Sequence, residues 1–481
     1  MVKLRVLDPK MKNRIGVFLL ISADILTLSA FFYLSALIRG NIIPLVFHDV
    51  PPFKHGIAMY YWIFPIWLST LAYQGAYSKR IAFWDEAKLL SKCTLFASLA
   101  IFAVLFIGKQ GATFSRILLL TMSLLSLLFF PLIRTRIKRL LYSFGLMKRK
   151  VLILGTGEAG RLALAALRNE PNLGYDVAGF IDEEPNGQRD IEGVRIHRYI
   201  DRIDRYIKRG VIHDIVIAKP ELDKQRLVRI INAIQHKVEN TLYIPDISGI
   251  AVLGTELRHF FNEQAIIIEI KNNLSRPINY TAKRLFDYTV GALLFLLLAV
   301  PLLAITVLIR VTSRGPAIFK QQRVGRGGRP FMCYKFRTMY QDAPERLKHI
   351  LDTDPAARAE WEEHRKLRND PRVTRLGRFL RETSLDELPQ IFNVLKGEMS
   401  LVGPRPVVEE EIEKYYRENA EFYFRVPPGI TGLWQVSGRS NTSYEYRVSL
   451  DTWYVRNWNL WLDIVILIKT TRVVIQREGA S

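Results

Sequence analysis

Four long apolar stretches occupy the first third of this chain and constrain its fold more than any other feature. They cover residues 15–38, 57–73, 93–108 and 117–133. Each approaches the roughly 20 residues that a helix needs to cross a bilayer, and the third is the shortest. We therefore predict that residues 1–145 form a four-helix transmembrane bundle that anchors the rest of the protein.

Clusters of basic residues set the expected orientation of this bundle. Five lysines and arginines precede the first apolar stretch, four separate the second from the third, and four directly follow the last. Because cytoplasmic loops carry an excess of basic residues, we expect both ends of the bundle in the cytoplasm. The first stretch is too long for a cleavable signal peptide and lacks an obvious small-residue cleavage site, so we expect it to be retained.

A fifth apolar run, over residues 285–309, differs from the first four. Lys283 precedes it and Arg310 follows it, so charge gives the chain no reason to cross the membrane there. Pro301 lies inside the run, where a proline removes a backbone donor and breaks or kinks a helix. We predict a re-entrant helix that enters and leaves on the cytoplasmic face. The alternative is an ordinary kinked transmembrane helix.

Between these membrane parts, residues 146–270 alternate strand runs with helical stretches, which is typical of an α/β domain. The four predicted strands are VLILG at 151, VAGFID at 177, DIVIA at 214 and TLYIPD at 241. Gly155, Gly157 and Gly160 follow the first run at the spacing of a dinucleotide-binding loop. Asp182 ends the second run, where an acid could meet ribose hydroxyls. We predict a cytosolic Rossmann-like domain with a candidate nucleotide site. The alternative is a module that keeps the tight turn for packing alone.

An oxidoreductase built on this domain would need a Tyr-x-x-x-Lys pair to polarise a substrate hydroxyl. No such spacing occurs anywhere in the sequence. The α/β pattern also covers only about one domain, which leaves little room for a separate substrate-binding half. A regulatory or structural role is therefore expected rather than hydride transfer.

Composition supports a membrane component and narrows the partners. The chain has 481 residues, of which 49% are hydrophobic, and a mean hydropathy of +0.07 that is high for a soluble protein. Its net charge of +22 suits nucleic acid, anionic lipid or nucleotide substrates. Given the apolar stretches, we expect membrane lipid as a partner and no nucleic acid. Two cysteines, Cys93 and Cys333, exclude a disulfide framework and a zinc cluster.

Two adjacent carboxylates lie among arginines in the segment 378–405, RFLRETSLDELPQIFNVLKGEMSLVGPR. Arginine forks bind phosphate oxygens, while carboxylates hold magnesium or attack phosphorus, so this segment has the parts of a phosphoryl-transfer site. The two acids are Asp386 and Glu387. Neighbours on a helix point about 100° apart, so the pair is suited to two separate roles rather than to sharing a proton.

Two starting points are open for the helix that carries this pair. Ser384 and Glu387 match the capping box S-x-x-E. Pro389 would then fall beyond the first turn, where its missing donor matters, so a start nearer Asp386 accommodates the proline better. That start would also aim the positive end of the helix at a phosphate on the aspartate. Gly397 suits the C-terminal end of the helix.

From residue 283 onward the chain resembles a known family. The resemblance rests on KRLFD at 283, the proline-broken apolar segment, GPAIFKQQRVGRGGRPFMCYKFRTM at 315, NDPRVTRLGRFLRETSLDELPQ at 369, KGEMSLVGPRP at 396 and GLWQVSGR at 432. The family is that of the polyprenyl-phosphate hexose-1-phosphate transferases, specifically the long monotopic phosphoglycosyl transferases of bacterial surface-polysaccharide assembly. The stretches NDPRVTRLGRFLRETSLDELPQ and WYVRNWNLWLDI are most similar to its undecaprenyl-phosphate galactose phosphotransferase branch.

The resemblance implies a reaction and a location. A sugar 1-phosphate, galactose 1-phosphate in this branch, would pass from a UDP-sugar to undecaprenyl phosphate with release of UMP. This step starts the synthesis of O-antigen, capsule or exopolysaccharide. Residues 271–481 would form a monotopic catalytic domain at the bacterial inner membrane. This domain and the middle domain would both lie in the cytoplasm. The resemblance also makes a homodimer a candidate assembly. UDP-glucose is the alternative donor, and a non-catalytic, nucleotide-sensing membrane scaffold is the alternative class.

The matched motifs also imply residue roles. Asp386 would be the nucleophile that forms a covalent aspartyl-phosphosugar intermediate, and Glu387 would be a ligand of Mg²⁺. An acyl phosphate divides one exchange into two and lets UMP leave before the bulky lipid enters. Mg²⁺ would neutralise the donor diphosphate. The basic residues that we expect to bind substrate phosphates are Arg381 and Arg405, which match family positions, and the further candidates Lys335 and Arg337.

Aromatic residues cluster near the end of the sequence. Trp453, Tyr454, Trp458 and Trp461 precede an apolar run over residues 464–468. Such residues suit a helix at the bilayer interface, where the rings lie at headgroup depth. A core helix of the catalytic domain is the equally open alternative.

Overall fold

The structure is a computed structural model. It describes residues 8–48, 60–109, 115–183, 188–198, 212–246, 256–260, 265–269, 273–364, 367, 370–438 and 443–476. The chain divides into two compact units, Met1–Ser248 and Gly249–Ser481.

Apolar helices form the first part of the first unit. They are α1 (Pro9–Leu37), which continues through a π-helical turn (Ile38–Ile42) into the short α2 (Ile43–Val46), then α3 (Ile63–Tyr73), α4 (Phe83–Ile107) and α5 (Arg116–Ser143). Within the described residues, three of these segments are long and apolar enough to cross a membrane, namely Lys10–Val46, α4 and α5. The second predicted span is represented by α3, whose 11 residues extend only about 16 Å. Part of that predicted stretch, residues 57–59, lies outside the described residues.

Two acids and two bases lie buried among these helices. Arg134 of α5 is fully buried and pairs with Asp24 of α1 and, at 3.0 Å, with Glu86 of α4. Lys138, one helical turn after Arg134, pairs with the same glutamate at 2.9 Å. Because an unpaired charge is unfavourable away from water, these ion pairs hold α1 and α4 to α5. Large apolar side chains such as Leu26 face outward instead.

A six-stranded sheet forms the rest of the first unit, with strand order β3-β4-β2-β1-β5-β6. All its pairs are parallel except β3 with β4. The four predicted strands are confirmed as β1, β2, β5 and β6. The central strands β1 and β5 are the most buried, as their continuous apolar runs suggest. The elements are β1 (Arg149–Leu154), α6 (Glu158–Asn169), β2 (Tyr175–Ile181), β3 (Asp190–Ile191), β4 (Val194–His197), β5 (Asp214–Ile217), α7 (Lys224–Ile234) and β6 (Asn240–Tyr243).

The second unit combines a long apolar helix with short strands and helices. The antiparallel hairpin β7–β8 precedes the helix, β9 pairs with β10 antiparallel, and β11 pairs with β12 parallel. The sequence boundary predicted between residues 270 and 271 follows the β7–β8 hairpin. The elements are β7 (Glu256–Phe260), β8 (Ala265–Glu269), α8 (Pro277–Thr312), β9 (Ile318–Val324), β10 (Pro330–Phe336), α9 (Ala343–Thr353), α10 (Pro355–His364), α11 (Arg375–Glu382), α12 (Gln390–Lys396), β11 (Ser400–Val402), α13 (Glu409–Glu411), α14 (Ala420–Phe424), β12 (Gly429–Thr431), α15 (Tyr444–Asn457) and α16 (Leu460–Gln476).

The long helix α8 has 36 residues and includes the fifth apolar run. It continues through Pro301, so the helix break predicted there does not occur in the secondary structure. The proline removes one backbone hydrogen bond, and the turns on either side remain helical. One side of α8 packs on the unit, through Gly291, Leu302 and Ile309, while residues such as Leu297 are exposed.

A buried ion pair fastens the start of α8 to the rest of its unit. Lys283 Nζ lies 2.8 Å from Asp463 Oδ2 in α16, and both side chains are almost fully buried. The lysine also donates to the carbonyl of Val402, and Asp463 accepts from Tyr454 and from the Trp458 indole. Two of the C-terminal aromatic residues therefore belong to the core, as in the second alternative for this segment.

Candidate active site

The carboxylate pair lies in a 3₁₀ turn, Leu385–Glu387, directly before α12. The α-helix itself begins at Gln390, with Pro389 as its N-cap. Proline has no N–H to offer the carbonyl of Leu385, which instead accepts from the amide of Leu388, three residues on. The helix ends at Gly397, which has a φ of 85°, as predicted.

Of the two starting points left open by the sequence, the capping box at Ser384 does not form. The side chain of Ser384 makes no capping hydrogen bond, and its φ is 56°, in the left-handed region. This conformation is uncommon for a residue other than glycine and costs on the order of 1 kcal/mol. The start predicted nearer Asp386 fits the 3₁₀ turn but not the α-helix. In a 3₁₀ turn neighbours point about 120° apart, so the separation of the two acids holds.

Glu387 is held by two of the predicted phosphate-binding residues. Lys335 Nζ of β10 lies 2.7 Å from Glu387 Oε1, and Arg405 Nη2 lies 3.5 Å from the same oxygen. Arg405 is 35% exposed and its guanidinium also faces the ring of Trp434. Strand β10, the 3₁₀ turn and the loop after β11 thus come together at Glu387, whose carboxylate lies between the two cations.

Asp386 has a different environment from its neighbour. Burial is the largest effect on its carboxyl group and raises its pKa above the ordinary value, and the charge of Glu387 raises it further. The positive charges of Lys335 and Arg381 oppose this rise. Arg381 is placed by α11, and its Nε donates to the hydroxyl of Thr338 at 2.9 Å. The two adjacent acids are therefore not equivalent, which suits two separate roles.

Arg337 lies apart from this group in its contacts. Its Nη2 donates to the carbonyl and hydroxyl oxygens of Ser313, at 2.9 and 2.7 Å. Its Nε and Nη1 are buried and have no hydrogen-bond partner in the part of the chain that the structure describes. Ser313 follows the last residue of α8, so Arg337 links the end of the apolar helix to the β9–β10 hairpin. It retains donors for a further acceptor.

A small polar pocket opens beside Glu387 and includes residues that were not predicted. Arg323, Gln390 and Gln435 line it together with Lys335, Glu387 and Arg405. Arg323 and Gln435 lie within the motifs QQRVGRGGRP and GLWQVSGR, which carried the resemblance. Their positions in those motifs could have identified them as candidate site residues from the sequence. Cys333 also lines the pocket, and burial raises the pKa of its thiol to about 11, which favours the protonated thiol at neutral pH.

Comparison with known proteins assigns this second unit to a family. The family described as bacterial sugar transferase matches residues 278–477. The undecaprenyl-phosphate galactose phosphotransferase of Salmonella typhimurium is 41% identical over 84% of this chain and 84% of its own length. The UDP-galactose-lipid carrier transferase of Erwinia amylovora is likewise 41% identical, with 84% of each chain covered. The chain belongs to the bacterial sugar transferases. The resemblance stated from the motifs is confirmed, and the protein is an enzyme of this class.

More distant members differ in the sugar that they are named for. The UDP-glucose:undecaprenyl-phosphate glucose-1-phosphate transferase of Escherichia coli is 33% identical over 69% of this chain and 68% of its own.

Among solved structures, the UDP-D-quinovosamine 4-dehydrogenase of Vibrio fischeri is 28% identical over 21% of this chain and 80% of its own, with a TM-score of 0.19. That score is too low to bear on the fold.

The carboxylate of Glu387 is of the kind that a magnesium ion would use beside a bound substrate. Mg²⁺ is usually held by one or two carboxylates together with substrate phosphates. Within the described residues, no group of three or more histidine, cysteine, aspartate or glutamate side chains is placed to hold a metal. Glu387, the predicted ligand, would therefore share such an ion with oxygens of the substrate. Such an ion would neutralise negative charge on a bound diphosphate.

The glycine loop of the α/β part lies in a region, residues 73–245, that matches the family described as CoA-binding domain. Gly155 has a φ of 112°, and a Cβ on Gly160 would collide with the carbonyl oxygen of Gly155. These two glycines are required by the turn and by the close approach of α6 to β1. Gly157 is the N-cap of α6, and a Cβ there would meet nothing within 4 Å.

Asp182, the predicted partner of a ribose, is buried and bonded within the protein. It accepts from the amide and hydroxyl of Thr156, at 2.8 and 2.6 Å, and pairs with Lys219 at 2.7 Å. Thr156 is itself part of the glycine loop. The carboxylate thus fixes the loop to the next strand, so a ribose would have to compete with these internal bonds. This geometry favours the packing alternative for the α/β part.

Proposed function

We propose that this enzyme transfers galactose 1-phosphate from UDP-galactose to undecaprenyl phosphate and releases UMP, as the first step in assembling a surface polysaccharide. The observation that carries the proposal is the arrangement around the acid pair. Asp386 lies within the electrostatic influence of Lys335 and Arg381 and makes no ion pair within the described residues, whereas Glu387 pairs with Lys335 and Arg405. One acid is thus available for attack while its neighbour is held among groups that bind phosphate.

The reaction would run in two displacements at phosphorus. A carboxylate oxygen of Asp386 attacks the β-phosphorus of the UDP-sugar, the bond from that phosphorus to the bridging oxygen breaks, and UMP leaves with the electron pair. A phosphate oxygen of undecaprenyl phosphate then attacks the same phosphorus, and the bond to Asp386 breaks. The product is a diphosphate-linked lipid, and the free carboxylate is restored.

Cations around the pair supply the electrostatic part of catalysis. An incoming diphosphate can accept from Lys335 and Arg405, which otherwise share the single carboxylate of Glu387. Their transfer from carboxylate to phosphate would release Glu387 to hold Mg²⁺. Arg381 adds positive charge near Asp386, where negative charge develops on the phosphoryl oxygens.

UDP-glucose is the second candidate donor. Relatives named for glucose transfer are 33–34% identical, against 41% for those named for galactose. Hydroxyl epimers are distinguished by contacts to the sugar, and the galactose assignment rests on this higher identity.

The proposal is tested by incubating the solubilised full-length protein with Mg²⁺ and a panel of UDP-sugars, without and then with undecaprenyl phosphate. UMP release and intact protein mass are followed. UDP-galactose should give a protein adduct of one sugar phosphate without the lipid, and continuous UMP release with it. Faster turnover of UDP-glucose would overturn the galactose assignment. Absence of turnover with every sugar would favour the scaffold alternative.

The membrane placement proposed here is that of a multi-pass inner-membrane protein with α8 re-entrant from the cytoplasm. Both ends of α8 contact the same unit, Lys283 through β11 and α16 and Ile309 through the cluster with Phe336 and Leu380. If α8 crossed the bilayer, these two contacts within one unit would lie on opposite sides of a hydrocarbon core roughly 30 Å thick, so we propose that α8, although helical throughout, bends near Pro301 and returns to the same face. A homodimer in the membrane is also proposed, by resemblance to the long members of the family.

The topology of α8 is tested with a reporter enzyme fused after Arg314, just beyond the helix. A re-entrant helix predicts that the reporter has cytoplasmic activity, equal to that of a fusion placed before Pro277. The matched control is a fusion after Val46, which is expected on the opposite face. Periplasmic activity of the Arg314 fusion would establish that α8 crosses the membrane.

A further inference from the structure

A basic cavity of about 470 Å³ lies in the first unit, outside the candidate active site and the glycine loop. Its walls are the start of α1, the segment that runs from the end of α5 into the first two residues of β1, and residues at the starts of β2, β5 and β6. The glycine loop follows the carboxyl end of β1, whereas this cavity lies at the amino ends of the strands. The two sites are therefore at opposite edges of the sheet.

The cavity has more positive than negative side chains. Six lysines and arginines line it, against the two carboxylates of Asp176 and Glu239. Arg149 is paired, with Asp214 at 3.2 Å and Glu239 at 2.6 Å. Within the described part of the chain, four other cations that line the cavity make no ion pair, and these are Lys10, Arg14, Lys148 and Lys150. Their charge is available for an anion.

The two sides of the cavity are held together by close packing. Leu20 of α1 forms an apolar cluster with Leu141 of α5 and Leu146. Gly16 lies so close to Met147 that a Cβ on the glycine would collide with that side chain. The two backbone segments that carry these cations are thus held around a common space. An anion that entered it would meet cations that already lie close together.

Exposed apolar side chains begin directly beside the cations. Phe18 and Leu19 follow Arg14 by about one helical turn, and they are 69% and 40% exposed. On α5, Leu140 and Phe144 are 56% and 47% exposed, just before the chain reaches Lys148. Since α1 and α5 are both long and apolar enough to cross the membrane, this boundary lies where headgroups meet acyl chains. A ligand that fits both surfaces has an anionic head and apolar chains.

We propose that this cavity binds the phosphate group of an anionic phospholipid from the cytoplasmic leaflet. Its phosphate oxygens lie among Lys10, Arg14, Lys148 and Lys150, and its acyl chains lie along the exposed apolar faces of α1 and α5. Basic pockets beside membrane helices bind anionic headgroups through this combination of charge and apolar contact. The bound lipid would join the base of α1 to the α/β part without any role in the chemistry of the second unit.

The test uses the full-length protein in neutral detergent, supplied with an equal mixture of phosphatidylglycerol and phosphatidylcholine that carry the same acyl chains. Native mass spectrometry measures which lipid stays bound. The wild-type protein should retain phosphatidylglycerol in preference. Two cavity variants, Lys10→Gln/Arg14→Gln and Lys148→Gln/Lys150→Gln, should each bind it about tenfold more weakly or worse. Because the second variant leaves the basic residues before α1 intact, it keeps the test valid if the first one inserts poorly.

The matched control removes two exposed cations from α7 in the variant Lys224→Gln/Arg226→Gln, which should bind phosphatidylglycerol as the wild type does. An equal loss in this control would overturn the proposal, since it would mean that overall charge decides binding. Equal retention of both lipids by the wild type would do the same. Inorganic phosphate and glycerol 3-phosphate form a separate arm. If either displaces phosphatidylglycerol at millimolar concentration, the site takes free phosphate and the lipid assignment is wrong.

Discussion

Replacing Asp386 by asparagine should abolish the sugar-phosphate adduct and lower turnover by about three orders of magnitude or more. An amide has no free negative charge with which to attack phosphorus, and removal of a nucleophile is among the largest effects seen in enzymes. Intact protein mass after incubation with UDP-galactose measures the adduct, and UMP release measures turnover. Turnover at the wild-type rate would remove Asp386 from the role of nucleophile.

Two carboxamide variants in the same segment serve as controls. Glu387→Gln keeps the nucleophile, so it should still form adduct, but slowly and with a weaker dependence on Mg²⁺. Glu382→Gln alters an exposed carboxylate at the end of α11 and should leave both measurements unchanged. In the wild type, adduct formation should fall about tenfold per pH unit below the pKa of Asp386. Because burial raises that pKa, the fall should begin at a higher pH than for an ordinary aspartate.

Replacing Asp463 by asparagine should destabilise the second unit by about 3–5 kcal/mol. The change leaves Lys283 charged, buried and without its ion-pair partner. The variant Lys283→Met/Asp463→Leu removes both charges and should recover most of the loss, since buried apolar side chains can replace a buried ion pair. Thermal unfolding in detergent, followed by protease resistance of the unit, measures the difference.

A surface pair gives the matched control for this prediction. Arg346 and Asp342 lie 2.9 Å apart, one helical turn from each other, with side chains that are 41% and 56% exposed. Asp342→Asn should cost less than about 0.5 kcal/mol, because water screens the exposed pair. If Asp463→Asn were equally mild, the buried network would not be what fastens α8 to β11 and α16.

Local sequence patterns were sufficient wherever a short segment determines its own structure. Apolar runs predicted β1, β2, β5 and β6, and the glycine spacing predicted the turn between β1 and α6. Gly397 predicted the end of α12. Local patterns left the helix start open at Ser384, because the capping-box motif matches there while Pro389 shifts the start of the α-helix to Gln390. They also failed to predict that α8 continues through Pro301.

The sequence by itself determined the family, the apolar helices and the identity of the acid pair, because motifs and apolar runs are continuous along the chain. Only the tertiary structure decided which groups surround those acids, and which other polar groups are already bonded to partners within the protein. Lys335 contacts Glu387 although 52 positions of sequence separate them. The carboxylate of Asp182 bonds to Thr156 and Lys219 and is therefore already occupied within the protein. Charge acts through space over a few ångströms, so the partners of a buried carboxylate follow from folding and not from spacing.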